Sequence, residues 1–254
     1  MIKGLSNEEL GIESEPQKAW KHIPSFLDSE ESDTLYERLE RITFKPHPTD
    51  DRVGAFYKTL GEPYSGRGTQ FERSESVIIP EGWRRLADRV SSQSQSPVNY
   101  IQIHKYAPTV PVRPHFDPGG MIVPMLTVGQ ERTFRVGGKF TDNRCYPGNP
   151  NFLPQEKREV EMHAPEAEVL MKHGDLLVFI GGNVIHSMFP ASADSQFNAN
   201  GRNWRFSMLF RWTTPAMRQY GPGKKAIAAG HREQYQNALE QFRVENQQKE
   251  GGKC

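Results

Sequence analysis

Hydrophobic positions change their spacing along this chain. Leu35, Leu39 and Ile42 fall at intervals of four and three, the repeat of one helical face. Just ahead of them Asp28 and Glu31 stand three apart, the spacing of a capping box. Trp83, Leu86 and Val90 repeat the helical interval and predict a second helix from Glu81 to Val90. From residue 98 to 213 the pattern becomes that of strands, short apolar runs separated by turn signals such as Pro118-Gly119-Gly120 and Gly137-Gly138. Near the end, Tyr235, Leu239 and Phe242 mark one stripe of a polar helix, predicted to pack on the domain.

These elements predict a mainly β fold with peripheral helices and a double-stranded β-helix (jelly roll) as its core. The chain divides into a polar, loosely ordered segment over 1–19, helices with a candidate lid over 20–97, a core over 98–214 and a tail with an amphipathic helix over 215–254. Residues 140–162 are rich in proline, asparagine and charge, too long for a hairpin turn, and predict an excursion beside the substrate mouth.

Composition narrows the class only a little. A length of 254 residues suits one β-rich domain, and a formal net charge of +1 gives no overall field to steer polyanions. Two cysteines, Cys145 and Cys254, argue against a disulfide framework and for a reducing compartment. No apolar run is long enough for a membrane span, and the first residues lack a signal-peptide core, so the expected location is the cytoplasm. With a nucleic-acid substrate it is the nucleoid or nucleus.

The chemistry lies in five residues. His115 and Asp117 are two apart and so share a face on an extended strand. His186 follows the run Leu176 to Ile185, which is broken at Gly181-Gly182 and reads as two buried strands joined by a tight turn. Two imidazoles and one carboxylate on one side of a metal are the facial triad of non-haem Fe(II) oxygenases. Arg205 and Arg211 are an even six apart, and two guanidinium groups on one strand face suit a dicarboxylate such as 2-oxoglutarate. His22, His47, His163, His173 and His231 show no partner spacing and are given surface or structural roles.

In this order the residues resemble the AlkB-like Fe(II)/2-oxoglutarate-dependent dioxygenase family, whose pattern is N-x-Y, H-x-D, a distal His and R-x5-R. The matching positions are His104-Lys105-Tyr106, His115-Phe116-Asp117, His186, Arg205 and Arg211. Leu126-Thr127-Val128-Gly129, the stretch from Thr133 to Gly138 and that from His173 to Phe179 also resemble family strands, so the likeness runs from about residue 20 to 214. The resemblance implies that His115, Asp117 and His186 bind Fe(II), with 2-oxoglutarate and O2 as co-substrates. It implies that Arg205 pairs with the distal carboxylate, that Arg211 lies near the metal-bound end, and that Tyr106 hydrogen-bonds the co-substrate. His104 stands where the pattern has Asn, and Ser207 where Asn often follows the first Arg; both hydrogen-bond with altered geometry. On their own residues, Arg211 also reads as a strand-end surface arginine and Tyr106 as a core aromatic. The reaction implied is oxidative decarboxylation of 2-oxoglutarate to succinate and CO2, coupled to hydroxylation of a C–H bond.

For the substrate two enzymatic readings stand. Phe56-Tyr57 and Tyr64-Ser65-Gly66-Arg67 resemble the family's lid, so Tyr57 and Tyr64 would stack a flipped base while Arg67, Arg52, Lys58 and Arg73 meet phosphates. That makes the protein a demethylase of N-alkylated bases in DNA or RNA. The same segment also reads as a hydrophobic hairpin with a solvated face. Gly119 stands where repair members often carry a base-reading acid, and this, with the small net charge, favours a hydroxylase of a small molecule or protein side chain. A third class, a jelly roll retained as a binding module, is opposed by the intact five-residue set. Neither a membrane nor an obligate protein partner is expected.

Overall fold

The computed structural model describes residues 20–46, 54–61, 78–115, 117, 122–136, 139–140, 162–163, 167–180, 184, 186–189 and 201–212. The expectations for residues 1–19, Tyr64, Arg67 and the stripe through Tyr235 lie outside them.

Helix α1 (Ser29–Glu40) begins as its sequence dictates. Glu31 N donates to Asp28 Oδ1 at 2.9 Å and Asp28 N to Glu31 Oε2 at 3.3 Å, which satisfies two donors that the first turn leaves over. Leu35, Tyr36 and Leu39 form its buried face. Helix α2 (Glu81–Ser94) runs one turn past the predicted end at Val90. It stops where Gln95 turns left-handed, with φ 52°. Trp83, Ala87 and Val90 are buried, while Leu86 packs only at the margin.

The strands are β1 (Trp20–Ile23), β2 (Lys45–Pro46), β3 (Ala55–Gly61), β4 (Tyr100–Tyr106), β5 (Val112–His115), β6 (Ile122–Gly129) and β7 (Arg132–Val136). After them come β8 (Lys139–Phe140), β9 (Met162–His163), β10 (Ala167–Met171), β11 (Leu176–Ile180), β12 (His186–Met188) and β13 (Arg205–Arg211). They form a seven-stranded sheet in the order β1-β11-β6-β13-β4-β3-β2, a four-stranded sheet β10-β7-β12-β5 and a β8-β9 pair. Every pairing among the described strands is antiparallel. This is the predicted double-stranded β-helix.

Two cores result. Ile101, Ile103, Leu126, Val128, Val178, Phe206, Met208 and Phe210 point from the large sheet onto the helices. The alternate residues of the same strands, with Val123, Met125, Leu177, Phe179 and Leu209, meet Phe134, Val136, Val169 and Met188 of the small sheet. Each apolar side chain buried this way contributes about 1.5–3 kcal/mol. Covered on both faces, β13 is buried along its whole length, so Arg205, Ser207 and Arg211 are held between the sheets.

Two local expectations need correcting. β11 and β12 are not neighbours joined as a hairpin: β11 pairs with β1 and β6 in the large sheet, β12 with β5 and β7 in the small one. The chain therefore changes sheets between Ile180 and His186. Strand β5 ends at His115, so Asp117 lies just past the strand rather than on it. The excursion at 141–161 lies outside the described residues, but its ends are paired, Lys139 with His163 and Phe140 with Met162.

Candidate metal and co-substrate site

The small sheet brings the two candidate ligand histidines together. His186, first residue of β12, is the register partner of His115, last residue of β5, and their rings lie 4.2 Å apart. Phe179 and Phe134 wall the His186 ring at 4.6 and 5.5 Å. Asp117 closes the group: one ligand atom from each of His115, Asp117 and His186 lies within 4.8 Å of the others, a spacing that can hold a single metal ion.

Hydrogen bonding aims these atoms inward. His186 Nδ1 lies 3.1 Å from the Val184 carbonyl, which assigns the proton to Nδ1 and leaves a lone pair on Nε2. That nitrogen faces Asp117 Oδ2 at 3.6 Å. Oδ2 is buried, and among the described residues no donor hydrogen-bonds it. A lone pair facing a carboxylate oxygen repels unless a cation stands between them. Burial, helped by the nearby His115, pushes the His186 imidazole down to about 3, so a proton does not fill that role at neutral pH. The donor set therefore fits a divalent metal.

Asp117 Oδ1 is held separately. Arg211 Nη2 donates to it at 2.6 Å, from the end of β13 in the opposite sheet. Burial alone would raise the Asp117 pKa; the Arg211 guanidinium, foremost among the opposing causes, helps to outweigh it and hold the carboxyl well below the usual range. Arg211 is thus a buried partner of Asp117, not a surface arginine.

Arg205 occupies the other end of β13 and is fully buried. Its Nη2 donates to Thr127 Oγ1 at 2.8 Å, and its Nε and Nη1 donate to Ser207 Oγ and the Gln130 carbonyl, each at 3.3 Å. All three acceptors are neutral. Burial, together with the charge of Arg132, pushes its guanidinium down to about 9, still cationic at pH 7. A buried cation among neutral dipoles suits an incoming carboxylate. Tyr106 is its register partner on β4, and His104 is that of Ser207. The His104 and Tyr106 rings lie parallel with centroids 5.7 Å apart.

Tyr57 belongs to β3 and pairs in register with His104, so it faces the same interior at 5% exposure. Strand β3 is part of the large sheet, so this aromatic is part of a wall. Thr127, Gln130 and Arg132 were not singled out from the sequence. Period-two alternation was the available signal for Arg132, which shares a strand face with Phe134 and Val136. Of the remaining histidines, His22 bonds Asp175 at 3.0 Å, and His173 Nδ1 accepts from Gly129 N at 2.8 Å; both are structural.

No protein-family model matches the sequence, and no curated protein matches it. Solved structures do resemble the fold. OsALKBH1 superposes with a TM-score of 0.50 at 16% identity, over 77% of this chain and 97% of that one. A prolyl-4-hydroxylase of Pseudomonas putida gives 0.43 at 15% identity, over 77% of this chain and 93% of that one. A 2OG-Fe(II) oxygenase-family oxidoreductase of Burkholderia pseudomallei gives 0.43 at 14%, over 76% and 84%. The OsALKBH1 likeness shows a shared fold, the double-stranded β-helix. No helix among the described residues is long and apolar enough to cross a membrane.

Proposed function

We propose that the chain is an Fe(II)- and 2-oxoglutarate-dependent dioxygenase. The observation that carries this is the pairing of two centres on one interior: a buried His115–Asp117–His186 group with a carboxylate oxygen that no donor among the described residues satisfies, and a buried Arg205 whose acceptors among the described residues are all neutral. His115, Asp117 and His186 hold the metal. Arg205 takes the distal carboxylate of 2-oxoglutarate, with Thr127 and Ser207 orienting the guanidinium and Tyr106, His104 and Ser207 as hydrogen-bonding neighbours. Arg211 fixes Asp117 and so its free oxygen. Bound iron would supply O2 activation coupled to decarboxylation of the oxo acid to succinate and CO2. The protein's share is position and exclusion of water.

For the substrate we favour an N-alkylated nucleobase in DNA or RNA, oxidised at the N-attached carbon so that a methyl group leaves as formaldehyde. The AlkB-like motif series supports this, as does Tyr57, an aromatic on the site's own face. One feature favours the second reading, hydroxylation of a small molecule or protein side chain: Gly119 stands where repair members of the resembled family often carry a base-reading acid.

Succinate and formaldehyde formation, measured with Fe(II), 2-oxoglutarate and an oligonucleotide carrying N-methylated adenine or cytosine, separates the two. Stimulation by the methylated strand alone, with formaldehyde in step, is the expected result. Succinate formation indifferent to methylated and unmethylated strands rejects the nucleobase and leaves the hydroxylase.

A further inference from the structure

Arg132 is the largest fully buried side chain that the proposed site does not use, at 1% exposure. It begins β7, and two and four residues on, the same strand face is filled by Phe134 and Val136. An apolar residue would pack there without the cost of burying a cation. Instead Arg132 Nη1 donates to the Val110 carbonyl at 2.7 Å and Nη2 to the Ala107 carbonyl at 2.5 Å. Nη2 also reaches Gln130 Oε1 at 3.3 Å. None of these acceptors is charged.

Both carbonyls belong to the connection between β4 and β5, where the chain crosses from the large sheet to the small one. Within that crossing, Ala107 N donates to the Gly54 carbonyl and Val110 N to the Ala107 carbonyl, at 2.9 and 3.0 Å. Ala107 directly follows Tyr106, and Val110 precedes His115 by five positions. Gln130 joins the same arrangement to the co-substrate end, since its main-chain carbonyl accepts from Arg205.

We infer that Arg132 is a positioning residue: its guanidinium fork clamps the β4–β5 crossing and so fixes Tyr106 and His115 relative to Arg205. The inference rests on the dioxygenase reading above. A lysine keeps the charge but lacks the planar fork that spans two carbonyls. Loosening the crossing moves a metal ligand and a co-substrate residue together, so metal and 2-oxoglutarate affinity weaken in parallel.

The test compares wild type with Arg132→Lys, Arg132→Met and the milder Gln130→Met, well below every melting midpoint. The readouts are KM for 2-oxoglutarate, kcat, Mn(II) affinity and Tm. Arg132→Lys is expected to raise both KM and the Mn(II) dissociation constant by about tenfold. Arg132→Met should do worse, and Gln130→Met should move both constants the same way by less. A lower Tm with unchanged KM and Mn(II) affinity makes Arg132 a packing residue and overturns the inference. Should neither Arg132 variant fold, Gln130→Met decides, and unchanged constants there overturn it equally. A wild type that binds neither Mn(II) nor 2-oxoglutarate removes the dioxygenase reading and this inference with it, whereas binding by wild type and variants alike removes the inference alone.

Discussion

Arg211 and Asp117, 94 positions apart, form a buried ion pair of 2.6 Å that joins the end of β13 in one sheet to the segment after β5 in the other. It sets which carboxylate oxygen is occupied and which is left for the proposed metal. Arg211→Lys keeps the charge with poorer geometry and is expected to weaken Mn(II) binding roughly 10–100-fold, read by titration calorimetry. Arg211→Met leaves a buried carboxylate uncompensated and should cost about 3–5 kcal/mol of metal-free stability in denaturant melts. Unchanged metal affinity in the lysine variant would show that the pair does not orient the ligand.

Arg205 should govern 2-oxoglutarate and not the metal. Hydrogen bonds to charged groups contribute about 1.5–3 kcal/mol each, so Arg205→Lys is expected to raise KM for 2-oxoglutarate by roughly 10–150-fold with Mn(II) affinity unchanged. Steady-state kinetics beside metal titration reads this. Equal losses in both constants would mean that the two ends of β13 are not separate subsites.

Gly129 is tied to its backbone. Its φ is +96°, and a Cβ there would run into the Trp204 carbonyl and the Tyr36 ring. It ends β6 opposite Arg205 and gives its N–H to His173. Gly129→Ala should cost about 1–3 kcal/mol from the strained backbone alone, and more with the clash, as a lower Tm. A variant with the wild-type Tm would contradict this geometry.

Asp175 links β1 and the turn after it to the start of β11. It accepts from His22 Nε2, Ser25 N and Lys172 N at 3.0, 2.9 and 2.8 Å. Burial alone would raise its pKa; these bonds, that of His22 foremost, hold it below the usual carboxylate value. A carboxylate depressed in the folded state stabilises above its unfolded pKa of about 4, and that stability is lost as pH falls through the lower folded value. Asp175→Asn should cost about 1–3 kcal/mol at pH 7 and lose less than wild type below about pH 4. Denaturation of both proteins across that range checks the sign; parallel acid slopes would assign the loss to other carboxylates.

Much of this was legible in the sequence, for identifiable reasons. The capping box at Asp28 and Glu31 is a local device, as is the three-four spacing behind it, so α1 could be read directly. The face shared by Arg205, Ser207 and Arg211 follows from period two on a strand. Partners across sheets were not legible. Gly181-Gly182 signals a break but not that the chain changes sheets, and nothing near Arg211 names Asp117. For Arg132 the alternation with Phe134 and Val136 points inward, but its acceptors are main-chain carbonyls that no side-chain pattern reveals.

Succinate formation from 2-oxoglutarate, with and without Fe(II), in wild type and Asp117→Ala, tests the central claim most directly. The expected result is slow wild-type turnover that requires Fe(II) and disappears in the variant. Turnover that persists in Asp117→Ala, or a folded wild type that forms no succinate with Fe(II) bound, would contradict the assignment of His115, Asp117 and His186 as the metal centre of a dioxygenase.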